Sequence, residues 1–248
     1  MPDSGPAPQS PWSLLASCWE DLFPLRQPRL DLALALAPAG ARTLDAGCAT
    51  GSLPRALAAR GRLAEGLDLE PAFLREAEAR ARADGMELRW HEASLLDLAA
   101  ATGPGPFQLI TCLGQTLPHL LEEGQWLDFF TQARGLLHRD GHLVIQVVND
   151  AGLAPGASRD LPPLRCPGGT LERRRTMLST GLAQMETVFR PAGGEPVQGA
   201  VRHLPMKPAA AAGLMRRAGL EPGPPQADES GRPFEPGSPG WVLQAGRR

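Results

Sequence analysis

The chain has 248 residues, with 25 Lys and Arg against 27 Asp and Glu, so its formal net charge is -2. This balance disfavours a general nucleic-acid-binding protein, because phosphate contacts need clustered basic residues. A hydrophobic fraction of 42% is sufficient for the core of one large domain. The longest apolar run, Leu32 to Ala37, is far shorter than the ~20 residues that a membrane-spanning helix needs.

The cysteines and the first residues predict a cytoplasmic location. The four cysteines are scattered without a C-x-x-C pair, which favours free thiols over a disulfide scaffold or a zinc site. The first basic residue is Arg26, and acidic residues precede it, so the basic start of a secretory signal peptide is missing. Residues 1–10 are rich in Pro, Ser and Gly, and we expect them to be disordered.

Residues 11–40 are predicted to contain two helices before the first strand. Apolar residues of the first helix lie three and four positions apart, as on one helical face: Trp12, Leu15, Trp19 and Leu22. Pro24 ends this helix, and a second helix runs from about Arg29 to Ala37. Their place before the first strand makes this segment a candidate lid over a binding site.

Residues 41–150 alternate apolar strands with helical patterns. Strands are predicted at 43–46, 64–69, 86–92, 107–113 and 142–148, and helices at 52–60, 71–84 and 122–137. Ser52 is predicted to cap the first of these helices, and Asp140-Gly141 to form a turn after the last. This alternation is typical of βαβ units, and it predicts an α/β fold with a parallel sheet.

The pattern changes after Asn149. Residues 151–169 look like a loop, whereas 171–201 carry β-branched and aromatic residues that predict antiparallel hairpins. The C-terminal segment, 206–248, is predicted to contain a helix at 209–218 and a closing strand at 241–245.

The end of the first strand is the predicted ligand site, since ligands of open parallel sheets bind beyond the carboxyl ends of the strands. There the sequence reads LDAGCATG, with Asp45 two residues before Gly47. A carboxylate here would repel a pyrophosphate, which prefers a helix N-terminus free of negative charge. It would attract the ammonium and sulfonium groups of S-adenosylmethionine. Asp68 ends the second strand, where an acid can bond both ribose hydroxyls of NAD or of S-adenosylmethionine.

Four segments resemble the class I S-adenosylmethionine-dependent methyltransferases: LDAGCATG, GLDLEPAFL, FQLITCLGQTLPHL and LLHRDGHLVIQVVN. CLGQTLPHL is similar to a stretch of small-molecule enzymes of the glycine/sarcosine N-methyltransferase type, and GRPFEPGSPGWVLQA resembles their closing hairpin. The resemblance implies a Rossmann-like, seven-stranded, mostly parallel sheet with helices on both faces. It also implies that residues 41–150 bind the cofactor and that a small antiparallel insertion, 151–205, covers the substrate.

The resemblance further implies a set of residues that bind S-adenosyl-L-methionine along the strand ends. These are Asp45, Gly47, Cys48, Ala49, Gly51, Asp68, Leu69, Ser94, Leu95, Cys112, Leu113 and Gly114.

The sequence also departs from that family at several positions. Ala49 replaces the middle loop glycine, Ser94 replaces an acid that often contacts the adenine, and Gln115 replaces an asparagine. Val148 stands where glycine-type enzymes have an arginine, and the chain contains no tyrosine. Glycine and sarcosine are therefore poor candidates for the substrate, while the reaction type is unaffected.

Two residues are candidates for substrate positioning. Methyl transfer is an in-line displacement in which the enzyme mainly holds the two reactants together, so a strong general base is optional. His119, after the fourth strand, is a candidate for substrate contact or proton acceptance, or else an ordinary hydrogen-bonded turn histidine. Asn149 ends the fifth strand and is a candidate for orienting a polar substrate group. No metal site is expected, because His138 and His142 have no partner ligands.

The favoured hypothesis is an S-adenosylmethionine-dependent methyltransferase that acts on nitrogen or oxygen of a small molecule, with no nucleic-acid or membrane partner. The alternative is a non-catalytic protein of the same fold that binds S-adenosylmethionine, S-adenosylhomocysteine or a partner. The departures from the family at Ala49, Ser94 and Gln115 favour this alternative. An NAD(P)-dependent oxidoreductase is disfavoured by Asp45. The sequence identifies neither the methyl acceptor nor the oligomeric state.

Overall fold

A computed structural model describes residues 12 and 15–247, and the segment 1–10 that was expected to be disordered lies outside them. Within this part of the chain, the strands form one seven-stranded sheet and one four-stranded sheet. No helix of the described residues is long and apolar enough to cross a membrane.

The seven-stranded sheet contains the strands predicted for residues 41–150 and two strands from the C-terminal segment. They are β1 (Arg42–Ala46), β2 (Leu63–Asp68), β3 (Arg89–Glu92), β4 (Phe107–Cys112), β5 (Leu137–Val148), β10 (Leu220–Pro222) and β11 (Gly240–Arg247). Their order is β10-β11-β5-β4-β1-β2-β3, and β11 alone runs antiparallel to its neighbours. The predicted fold class is therefore confirmed. The strand order reverses between β1 and β4, which places the ligand crevice there.

Helices cover both faces of this sheet, as a parallel sheet requires. They are α1 (Trp19–Leu22), α2 (Gln27–Leu36), α3 (Ser52–Ala58), α4 (Pro71–Ala83), α5 (Leu98–Thr102), α6 (Glu123–Leu136) and α7 (Pro208–Arg217). One face buries Trp126, Phe129 and Phe130 of α6 together with apolar residues of α7. The other face packs α2 and α3 against β4 and β5. The two apolar layers hold the strand ends in fixed positions.

Helix starts follow local chemistry, with one correction. Pro71 opens α4, and the Glu70 carboxylate accepts a hydrogen bond from the N–H of Ala72. The prediction that Ser52 caps α3 is wrong, because Gly51 occupies the capping position with a φ of 73°. A glycine is needed there, since a Cβ on Gly51 would lie 2.3 Å from the Trp90 ring.

The four-stranded antiparallel sheet is the predicted insertion. Its strands, in spatial as well as chain order, are β6 (Ser158–Cys166), β7 (Gly169–Met177), β8 (Ala183–Pro191) and β9 (Val197–His203). The interpretation of residues 151–169 as a loop is wrong, since β6 lies within them. Two prolines hid this strand: an edge strand tolerates proline, and the β6–β7 register shifts between Leu161 and Leu164.

The Asp140-Gly141 turn is also wrong. β5 begins at Leu137, directly after α6, and runs through both residues. A Cβ on Gly141 would lie 2.8 Å from the Phe107 carbonyl oxygen, so the glycine permits close approach of β4 rather than a turn. The sheet absorbs this contact in a register shift between Phe107 and Leu109.

The N-terminal segment packs against the insertion rather than extending into solvent. Leu15, Cys18 and Leu22 form a cluster with Leu171 of β7. Trp19 lies edge-on to Trp12, with ring centroids 6.1 Å apart. Whether this segment acts as a lid stays a prediction.

Candidate active site

A tight loop, residues 47–51, leaves the carboxyl end of β1 at the point where the strand order reverses; we call it the glycine loop. The N–H groups of Gly47 and Cys48 both donate to the Leu67 carbonyl of β2, at 2.7 and 3.0 Å. Gly47 has a φ of 84°, and a Cβ there would lie 2.2 Å from the Thr116 side chain. A glycine is therefore required at position 47, because the positive φ and the close Thr116 side chain both exclude a residue with a Cβ.

Asp68, at the end of β2, fastens the glycine loop. Its Oδ2 accepts the N–H of Ala49 at 2.8 Å, and its Oδ1 accepts the N–H of Glu70 at 3.0 Å. Burial raises the pKa of the Asp68 carboxyl, and these backbone N–H groups oppose the rise. Each carboxylate oxygen has a second lone pair, so Asp68 can hold the loop and still accept bonds from two ribose hydroxyls.

Asp45, in β1 just before the glycine loop, provides a second carboxylate, and this one is buried. The Thr111 hydroxyl of β4 donates to Asp45 Oδ1 at 2.6 Å. Burial raises the pKa of Asp45 to about 6, although the bond from Thr111 and the charge of Arg29 both oppose this rise. A carboxylate that is costly to ionise here would be stabilised by a cationic ligand.

Arg29 and Glu229 were missed by sequence reasoning. The Arg29 guanidinium donates to Glu229 Oε1 through Nε and Nη2, at 3.0 and 2.9 Å, and Arg26 pairs with the second oxygen. The third nitrogen, Nη1, lies 3.9 Å from the position that a Cβ on Gly114 would occupy. A cation is thus held beside the end of β4. The two partners are 200 residues apart in the chain, so no local pattern reveals the pair.

Some of the predicted cofactor residues at the other strand ends are exposed, and others are buried in the core. Leu69 exposes 70% of its surface just after Asp68, where an apolar face of a nucleoside would cover it. Ser94 Oγ accepts the N–H of Leu96 at 3.1 Å, which leaves its hydroxyl hydrogen available. Leu95 and Leu113 are buried. Gly114 donates its N–H to Gln146 Oε1 at 2.9 Å.

Cys48 and Cys112 are buried, and desolvation raises the pKa of both thiols well above the ordinary value. A thiol in this state is a packing group rather than a nucleophile. Among the described residues, no group of three or more His, Cys, Asp and Glu side chains could hold a metal ion.

The two candidate substrate-positioning residues have different surroundings. The Asn149 amide donates to the Pro236 and Ser238 carbonyls, both at 2.9 Å, and its Oδ1 accepts the N–H of Ala151. Asn149 therefore fixes the C-terminal loop against β5, and its role toward a substrate stays a prediction. His119 lies in a 3-10 turn (Leu117–His119) after β4, is exposed, and contacts the Trp12 ring.

His119 is joined to three buried polar groups that sequence reasoning did not connect; together they form the polar chain, Asp150–Arg175–His203–His119. Arg175 Nε donates to Asp150 Oδ1 at 2.5 Å, and Arg175 Nη2 donates to Oδ2. Arg175 Nη1 lies 2.9 Å from His203 Nδ1, and His203 Nε2 lies 3.3 Å from His119 Nε2. The polar chain therefore connects the end of β5, through the insertion, to the turn after β4.

Comparisons with known proteins agree with this architecture. Residues 43–141 match a family model described as a methyltransferase domain. A ubiquinone biosynthesis O-methyltransferase from Xanthomonas campestris pv. campestris (strain B100) is 31% identical over 146 residues, which are 56% of this chain and 59% of that protein. The chain spans about half the length of the curated relatives it matches.

Solved structures extend the likeness to nearly the whole chain. The CcbJ methyltransferase from Streptomyces caelestis has a TM-score of 0.81 at 23% identity, covering 94% of this chain and 96% of its own. An S-adenosylmethionine-dependent methyltransferase from Clostridium acetobutylicum ATCC 824 also has a TM-score of 0.81, at 15% identity, covering 95% and 98%. Residues 43–141 are therefore similar to a methyltransferase domain, and the chain has the fold of the class I S-adenosylmethionine-dependent methyltransferases.

Proposed function

We propose that this chain transfers a methyl group from S-adenosyl-L-methionine to a small molecule. The observation that carries the proposal is the pair of carboxylates beside the glycine loop at the sheet's switch point: Asp45 is buried near the end of β1, and Asp68 is half-buried at the end of β2. Two anionic groups there oppose a pyrophosphate and hence an NAD(P)-dependent oxidoreductase.

The charges around the loop are complementary to each part of S-adenosyl-L-methionine. Asp45 would hold the cationic ammonium and sulfonium end, and Arg29 Nη1 beside Gly114 would hold the carboxylate. Asp68 would accept the two ribose hydroxyls, while Leu69 and Ser94 would contact the adenine. Gly47, Cys48, Ala49 and Gly51 form the backbone against which the ligand lies, and Leu95, Cys112 and Leu113 support it from the core.

When bound, S-adenosyl-L-methionine supplies a methyl group activated by its sulfonium. The residues of this chain would bind and orient the two reactants and exclude water from the site. Alignment of the nucleophile with the methyl group is the main requirement of the catalysed reaction. His119, in the turn after β4, and Asn149, directly after β5, are proposed to position the acceptor. The insertion would cover it, with the N-terminal segment packed on the insertion as a lid.

A small-molecule acceptor fits the net charge of -2, which disfavours nucleic acid. One of the curated relatives is a ubiquinone biosynthesis O-methyltransferase, which supports the same substrate class. A cytoplasmic location fits the four free cysteines.

Calorimetric titration with S-adenosylmethionine, S-adenosylhomocysteine, NAD and NADP tests the proposal. We expect the two sulfur nucleosides alone to bind, with micromolar affinity, about -8 kcal/mol. Absence of binding to both would refute it and favour a partner-binding protein on the same fold. Binding without methylation of any compound in a broad small-molecule screen would favour a non-catalytic binding protein.

A further inference from the structure

The polar chain joins three separate parts of the fold through long-range contacts. Asp150 follows β5, Arg175 belongs to β7 and His203 is the last residue of β9. A backbone hydrogen bond holds His203 close to His119, because the neighbouring Leu204 donates its N–H to the carbonyl of Pro118 at 2.8 Å. Asp150, Arg175 and His203 expose 8%, 0% and 3% of their surfaces, whereas His119 is exposed.

The donor properties of these groups determine where each proton lies. A guanidinium can only donate, so His203 Nδ1 must accept the bond from Arg175. A neutral His203 then carries its hydrogen on Nε2 and donates it to His119 Nε2. His119 Nε2 must in turn be an acceptor, so the hydrogen of His119 is on Nδ1. In the described part of the chain, the bond with His203 is the only hydrogen bond found for the His119 ring.

Desolvation, together with the nearby charge of Arg175, favours the neutral form of both imidazoles. Burial, the neighbouring His119 and the charge of Arg175 lower the pKa of His203 to about 3. Desolvation and Arg175 also lower the pKa of His119. The one carboxylate in the polar chain, Asp150, is bidentate to Arg175, and the N-terminal segment presents the uncharged Trp12 ring to His119. The His119 ring is therefore reachable from solvent although its neighbours partly desolvate it.

We propose that Asp150, Arg175 and His203 fix His119 as a neutral hydrogen-bond donor to the methyl acceptor, and that the acceptor atom is a hydroxyl oxygen. Because Nδ1 of His119 already carries a hydrogen, it can donate to the attacking atom but cannot remove a proton from it. A hydroxyl oxygen has a second lone pair for this bond while the first attacks the methyl group. An amine nitrogen has one lone pair, which the attack uses.

This inference rests on the proposed function and narrows its substrate class to small molecules with an acidic hydroxyl, such as phenols. The hydroxyl loses its proton to water, and His119 Nδ1–H stabilises the oxyanion. The new oxygen–carbon bond forms as the carbon–sulfur bond breaks, and the sulfur keeps the electron pair.

Nuclear magnetic resonance of the full chain with ¹⁵N-labelled histidine tests the proton positions without substrate or cofactor. We expect His203 as the Nε2–H tautomer and His119 as the Nδ1–H tautomer throughout pH 6 to 8. His119 found as the Nε2–H tautomer, or protonated at pH 7, would overturn the proposal.

Two variants separate positioning from mere folding. In His203→Gln, the amide oxygen can accept from Arg175 and the amide nitrogen can donate to His119, so the His119 tautomer should be retained. In His203→Leu the donor is lost, so the His119 tautomer should become mixed, with methyl transfer reduced about tenfold for one lost hydrogen bond. Equal His119 spectra in these two folded variants would contradict the proposal.

The oxygen assignment is tested with matched phenols and anilines that share ring substituents. We expect the protein to methylate the phenols and none of the anilines. The oxygen assignment would be overturned if anilines were methylated, or if protein that binds S-adenosylmethionine methylated no phenol. Failure of calorimetric cofactor binding would instead refute the proposed function, while the tautomer measurement still decides the role of the polar chain.

Discussion

Replacing Asp68 with asparagine tests both functions assigned to its carboxylate. Oδ2 accepts the N–H of Ala49 at 2.8 Å and Oδ1 accepts that of Glu70 at 3.0 Å, which leaves one lone pair on each oxygen for a ribose hydroxyl. Asparagine keeps one oxygen and substitutes an NH₂ donor for the other. Whichever way the amide turns, a donor faces a backbone N–H and one ribose contact is lost.

The size of the effect follows from these contacts. A hydrogen bond to a charged group is worth about 1.5–3 kcal/mol, and the neutral amide recovers part of the burial cost that raises the Asp68 pKa. We therefore expect a loss of about 1–2 kcal/mol in the free energy of unfolding. We expect S-adenosylhomocysteine to bind about 10–100-fold more weakly.

Urea denaturation and calorimetric titration with S-adenosylhomocysteine measure the two effects separately. Asp128→Asn on the exposed side of α6 is the matched control, and it should change neither quantity. An Asp68→Asn protein that folds and binds S-adenosylhomocysteine within twofold of the parent would refute the assignment of Asp68.

Three further predictions concern charge and backbone conformation. The pKa of Asp45 is about 6, so the affinity for S-adenosylmethionine should fall by up to about tenfold per pH unit below pH 6, and binding at pH 6 should release protons. Calorimetric titrations between pH 7 and pH 5 measure both effects, and an affinity that does not change with pH would contradict the prediction. Ala49 has a φ of 47°, so Ala49→Gly should raise the free energy of urea unfolding by about 0.5 kcal/mol. Ala79→Gly, at an exposed position of helix α4, should instead lower it by about 1 kcal/mol; a lower free energy of unfolding for Ala49→Gly would contradict backbone strain at Ala49. The pKa of His203 is about 3 when folded and near 6.5 when unfolded, so the unfolded chain takes up the proton first as the pH falls below 6.5. Wild-type protein should therefore lose up to about 1.4 kcal/mol more per pH unit than His203→Gln in urea titrations, and parallel losses would contradict this.

The arrangement of the parallel sheet could be predicted because its signals are local. Apolar strands, intervening helices and the glycine loop each occupy a short window, and βαβ units permit few topologies. The position of Asp45 and Asp68 beside the glycine loop could be predicted for the same reason, because the carboxyl ends of adjacent parallel strands meet at one edge of the sheet.

Errors occurred where tertiary contacts override local preference. Gly51 rather than Ser52 precedes α3, because the Trp90 ring leaves no room for a side chain. Gly141 continues β5 because its missing Cβ lets β4 approach, and the prolines of β6 are tolerated at a sheet edge.

The sequence by itself determined the fold class, the glycine loop and the two acidic residues beside it, since all depend on residues close together in the chain. Only the tertiary structure decided which ion pairs and hydrogen bonds form around the site. Glu229 reaches Arg29 across 200 residues, and the contacts of Arg175 with Asp150, Arg175 with His203, and His203 with His119 span 25, 28 and 84. Folding brings these groups together, and no spacing pattern in the sequence encodes a pairing between residues so far apart in the chain.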